Sequence, residues 1–177
     1  MKFLSVKKIA LSGLMCAFAL ISFTIESLFP PLFIPGARLG ISNLFILLTA
    51  ILIGKGYAVA VLIIKVVLGS IFTGNISAAL YALPAGLIAL AIEIVLLINP
   101  KNFGLVCVSV CGAITSLTVQ NIVFCLVTGV IEYLAYLPYL TLIGIFSGAV
   151  VGITAYLIYK YLPANLMRGF NISEEKK

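Results

Sequence analysis

Apolar residues run along the chain in six blocks, each closed by a short polar or Gly/Pro punctuation. The blocks cover residues 9–29, 39–53, 57–72, 78–98, 105–130 and 137–162. Runs approaching 20 apolar residues match the roughly 30 Å hydrocarbon thickness of a bilayer, so the pattern predicts six membrane helices. Pro30-Pro31 ends the first block, because neither residue offers an N–H to continue a helix. Gly54-Lys55-Gly56, Thr73-Gly74-Asn75 and Asn99-Pro100-Lys101-Asn102 read as tight turns between later blocks. The second block is short for a span, and Pro84 near the start of the fourth is tolerable. Lys7 and Lys8 ahead of the first block give it the look of a signal peptide. Its length and the spans that follow favour a retained first helix instead.

The lysines and arginines set the orientation. With the N-terminus inside, Lys2, Lys7, Lys8, Lys55, Lys101, Lys160, Arg168, Lys176 and Lys177 all fall on the cytoplasmic side. Only Arg38 and Lys65 are left over. The inverted arrangement would put nearly every basic residue outside, so the positive-inside rule predicts N-in and C-in. The expectation is an all-α integral membrane protein of the cell membrane, a six-transmembrane-helix bundle. It forms one domain over residues 1–163, with a short cytoplasmic tail over 164–177.

Composition agrees with lipid as the solvent. Of the 177 residues 63% are hydrophobic and only 9% charged, with mean hydropathy +1.29, whereas a soluble domain carries about a quarter charged residues. The formal net charge of +6 comes from residues placed singly between apolar runs, with no basic stripe of the kind that binds nucleic acid. His is absent and no phosphate loop or paired acidic motif is present, so the sequence points to no enzyme, no metal and no cofactor. Cys107 and Cys111 share a helix face at i,i+4. With Cys16 and Cys125 they read as small, reduced packing residues.

The polar residues that topology leaves over carry the functional signal, since a charge inside the bilayer costs several kcal/mol unless paired or hydrated. Lys65 falls about eight residues, roughly 12 Å, into the third span. Glu93 in the fourth lies at a depth that allows an ion pair. Two readings stand side by side: a structural Lys65–Glu93 bridge, or Lys65 directed into a ligand cavity. Glu26, Arg38 and Asn43 gather where the first loop meets the second span. Arg38 there opposes the helix dipole, which calls for an anionic group nearby, either Glu26 or a ligand. Simple snorkelling of Arg38 to the interface is the alternative. Gln120 and Asn121 lie mid-span in the fifth helix, as cavity lining or interhelical hydrogen bonds. Gly13-xxx-Ala17 on the first helix, and Gly144, Gly148 and Gly152 on the sixth, make flat faces for internal packing or for a partner.

The stretch Pro35-Gly36-Ala37-Arg38-Leu39-Gly40-Ile41-Ser42-Asn43, followed by Lys65-xxx-Gly69 and Gly112-Ala113…Gln120, resembles the Gx transporter family. Its members are often labelled heptaprenyl diphosphate synthase component I. That family is similar to the substrate-binding S components of energy-coupling factor (ECF) vitamin transporters. The resemblance implies six helices, a ligand pocket near the outer face closed by the first loop, and a small-residue face on the first helix. That face would dock on a transmembrane coupling subunit served by an ATPase pair. Carried onto this chain, the docking face is Gly13 and Ala17, and the pocket draws on Arg38, Asn43, Lys65 and Gln120, with Glu26 beside Arg38. Where the family often has a His-Asn pair before the fifth-helix Gln, this chain has Ser116 and Leu117. Prenyl transfer itself needs clustered Asp to hold Mg²⁺ and diphosphate, and no such cluster is present. The expected function is a membrane subunit that binds and translocates a small anionic or vitamin-like ligand. The alternatives are a non-catalytic accessory subunit for isoprenoid or quinone synthesis or flavin-linked electron transfer, and a stand-alone carrier.

Overall fold

Each apolar block folds as an α-helix, because in lipid every backbone N–H and C=O must find its partner within the segment. The computed structural model describes residues 2–28, 40–98 and 104–162. These form α1 (Lys2–Leu28), α2 (Ile41–Leu52), α3 (Lys55–Phe72), α4 (Ser77–Leu97), α5 (Leu105–Thr128) and α6 (Leu137–Tyr161), with a 3-10 helix at Ile131–Tyr136 before α6 and no strand among the described residues. Arg38, the Pro30-Pro31 and Pro35-Gly36 segments, the Lys101 turn and the tail lie outside the described residues. The α2–α3 joint is tighter than expected, since α3 starts at Lys55 and the reversal is made by Ile53 and then Gly54. Its φ of 137° is open only to glycine, and its N–H closes α2 on the Thr49 carbonyl at 3.0 Å. Pro84 sits inside α4 rather than at its edge.

Five helices are long and apolar enough to cross a membrane, and the chain is a multi-pass membrane protein. The second block behaves differently. It gives a 12-residue helix, which rises about 18 Å, short of a hydrocarbon core. Its location explains its composition: a helix apolar all round is a buried helix. Leu44, Leu47, Leu48 and Leu52 pack with Val108 of α5 and with Val151 and Ala155 of α6. Ile46 and Ala50 pack with Cys16 of α1, with Val61 and Leu62 of α3 and with Leu90 of α4. The long helices thus wrap α2 and turn Leu14, Phe18, Ile21, Leu126 and Phe146 outward, the apolar surface that lipid covers.

The two small-residue faces separate. On α6, a Cβ added to Gly148 or Gly152 would lie 2.7 Å from the Cα of Val110 or Val106, and one on Gly144 would lie 3.2 Å from the backbone of Ile114. This stripe is therefore internal packing against α5. On α1, Gly13 has nothing within 4 Å of its Cβ position, and both Gly13 and Ala17 are exposed, so this face is not used inside the bundle.

Hydroxyls that would be unsatisfied in lipid bond back to their own helices. Thr24, Thr49, Ser70, Thr115 and Thr141 each donate to the carbonyl four residues earlier, at 2.6–2.9 Å. Asn121 works across elements: its Nδ2 donates to the Tyr133 carbonyl at 3.0 Å, tying the 3-10 helix to α5. Tyr133 also meets the Phe124 ring edge-on at 5.0 Å. Asn121→Leu removes that tie and is expected to cost about 1 kcal/mol. Hydrogen exchange should rise at residues 131–136 while the rest of the bundle keeps its protection.

Candidate functional site

The site begins at the N-terminus of α2, whose first-turn N–H groups have no partner within the helix. Glu26 near the end of α1 supplies one: its Oε1 accepts the Ser42 N–H at 2.9 Å, a carboxylate placed where the helix dipole favours it. From α3, the Lys65 ammonium donates to Ser42 Oγ at 3.1 Å and to Asn43 Oδ1 at 2.9 Å. Its Nζ also stands 5.7 Å from the centre of the Phe23 ring, within cation–π range. Phe23 reaches that position because Gly69, one turn beyond Lys65, leaves a notch. A Cβ there would lie 2.5 Å from the ring.

Glu26, Ser42 and Lys65 are each at least nine-tenths buried, and two side-chain oxygens and a ring face surround the Lys65 amine. Asn43, Lys65 and Glu26 thus come together from three helices. Ser42, Phe23 and Tyr81 belong to the same neighbourhood and were not singled out from sequence. Serine is frequent in membrane helices and usually bonds to its own backbone, so only the rotation of α2 reveals Ser42.

Beside this cluster lies a cavity of about 60 Å³. A single water needs about 10–15 Å³ on that measure, so there is room for several waters or a small polar group. All six helices contribute walls. Lys65, Ser42 and Asn43 form the polar side with Ser116, Gln120 and Ser147, and Phe23, Leu62, Tyr81 and Leu117 form the apolar side. Gln120 faces this chamber while its neighbour Asn121 faces the 3-10 helix, which divides the two amides between lining and structure. Ser116, at a position of the departing His-Asn pair, is also a wall.

The sequence leaves two readings of Lys65 open, a bridge to Glu93 or a place in a cavity wall. Among the described residues the two form no direct ion pair; the Lys65 hydrogen bonds run to Ser42 and Asn43. The reason is register. α3 and α4 reverse at Thr73–Asn75, so Lys65 is level with Ala82–Gly86, which share its chamber. Glu93 is about nine residues further along, roughly 13 Å. Its carboxylate is buried and packs against Gly112, where any Cβ would overlap it.

The four cysteines are free thiols, and among the described residues no group of three His, Cys, Asp or Glu gathers to hold a metal.

A family model described as heptaprenyl diphosphate synthase component I matches residues 15–158. The chain belongs to that family. In this member of the heptaprenyl diphosphate synthase component I family, the matched span holds every wall of the chamber as well as Ala17, and leaves Gly13 just outside. No curated protein and no solved structure matches the chain.

Proposed function

We propose that this protein is a membrane substrate-binding and translocating subunit of the ECF S-component kind, with six membrane segments and both termini in the cytoplasm. Separate coupling and ATPase subunits energise it. The observation that carries the reading is the chamber with a buried, oxygen-anchored ammonium, Lys65, in its wall. A membrane interior retains such a cation at a cost of several kcal/mol when it has something to meet. With Arg38 placed by sequence at the head of α2, the ligand is a small molecule with an anionic or electron-rich group. Asn43 and Gln120 orient it, and Glu26 holds the α2 terminus. The unused small-residue face at Gly13 and Ala17 on α1 is the docking surface for the coupling subunit.

The family's own description favours a second reading, a non-catalytic accessory subunit beside an isoprenoid or quinone-linked synthase. Affinity purification in mild detergent separates the two. The transport reading expects a coupling subunit and a pair of ATPases to co-purify, and expects Gly13→Leu with Ala17→Leu to lose them at unchanged thermal stability. Recovery of a prenyl synthase or flavoprotein in their place supports the second reading.

A further inference from the structure

A second, smaller cavity adjoins the chamber, and the chamber function leaves it unused. It has a volume of about 20 Å³ and is walled by Glu93, Ser109, Ser147, Gly40 and Asn43 among others. It shares Gly40, Asn43 and Ser147 with the chamber that holds Lys65, so the two are neighbours across a common wall. Glu93 is only 8% exposed, and among the described residues its carboxylate accepts no hydrogen bond.

The position is built for this acid. Gly112 leaves the space that the carboxylate occupies, and Gly148 brings α6 so close to α5 that an added Cβ would lie 3.0 Å from the Ser109 carbonyl. Ser109 and Ser147, each over nine-tenths buried, thereby flank Glu93 in the same small cavity. A buried carboxyl with hydroxyl oxygens around it and no basic group bonded to it is acceptor-rich ground: it either holds its own proton or takes a cation in its place.

We infer that the Glu93 cavity is a cation-accepting subsite contiguous with the Lys65 chamber, so that the bound ligand is bipolar, its anionic group toward Lys65 and a protonated amine toward Glu93. The bipolar ligand rests on the transport reading; the cation subsite itself rests on Glu93 alone. A free monovalent cation such as Na⁺ has the same chemistry and is the other source of positive charge for this place.

The full chain in detergent tests this, with unfolding followed through the thiols of buried Cys16 and Cys125. The probes are straight-chain ω-amino acids from glycine to 6-aminohexanoate, acetate as the anion alone, methylammonium as the cation alone, and NaCl against choline chloride. One amino-acid length is expected to bind at least tenfold more tightly than acetate. Glu93→Gln should abolish that preference and leave acetate binding as it was, a loss typical of truncating one partner of a buried charge pair. A sodium-dependent stabilisation lost in Glu93→Gln supports the same subsite with a free ion as occupant. If acetate fails to bind but the methylammonium or sodium effect is lost in Glu93→Gln, the Lys65 ligand reading falls and the cation subsite stands. If Glu93→Gln does not fold, Ser147→Ala serves instead, with a several-fold weakening of the cationic probes expected. A zwitterion or cation response that survives these substitutions overturns the proposal, as does a wild-type protein indifferent to every cationic and zwitterionic probe.

Discussion

Lys65→Met is expected, on the transport reading, to empty the chamber of its ligand while leaving the fold intact. Methionine has nearly the length of lysine and none of its charge, so the packing against Phe23 survives and the ammonium alone is lost. Removing one member of a buried, hydrogen-bonded charge interaction typically costs 2–5 kcal/mol of binding, about 30-fold to several-thousand-fold in affinity. The same change relieves the membrane interior of a cation, so thermal stability should stay level or rise. The measurement is the small molecule recovered per mole of purified protein by mass spectrometry, set beside the unfolding temperature. Loss of stability together with loss of ligand would make Lys65 a structural tie to Ser42 and Asn43. Lys65→Leu combined with Glu93→Leu sharpens the result: because the two side chains are not bonded, the double variant should be no better than Lys65→Leu alone.

Gly148→Leu is expected to prevent assembly of the bundle. The atoms a side chain would meet at this position are the Cα of Val110, the Cβ of Ala113 and the carbonyl of Ser109, and backbone cannot move aside as a flexible side chain can. Even Gly148→Ala overpacks the α5–α6 contact, at about 1–3 kcal/mol, and should lower the unfolding temperature measurably. Leucine should yield aggregated or degraded protein on size exclusion. Gly13→Leu is the matched control: nothing lies within 4 Å of that position, so its stability should stay within about 0.5 kcal/mol of the parent. Equal damage from both would mean that α1 packs on its own chain through the face left open here.

The helices were legible because the apolar runs and their Gly, Asn and Pro breaks are strong, local signals. Five of the six blocks start and stop within a few residues of the observed helices, apart from the extra turns at the start of α1. What the runs conceal is rotation. Lys65 stood out because its burial is costly wherever it points, and Asn43 because it closes the Pro35–Asn43 stretch, but whether Gln120 or Asn121 faced the cavity depended on a 100° turn of α5 that composition does not encode. Ser42 and Ser147 were hidden by their ordinariness, and Tyr81 by the many tyrosines that sit at interfaces. The choice between a Lys65–Glu93 bridge and a cavity stayed open in the sequence for a different reason. Depth was judged from each run separately, whereas the α3–α4 turn sets the relative register and puts Glu93 well below its supposed partner. The central place of α2 was also not foreseen; its shortness signalled something unusual, and only the packing on both sides shows that it is surrounded by its own chain.

The two-residue joint at Ile53-Gly54 couples α2 and α3 more firmly than their lengths suggest. At one end the chain reverses without slack; at the other, Lys65 is fastened to Ser42 and Asn43. A hairpin clamped at both ends moves as one lever. The Ser42 and Asn43 oxygens and the Lys65 ammonium are therefore held in one unit, and on the transport reading the passage for a solute opens along a different seam, between this lever and the neighbouring α1 or α4.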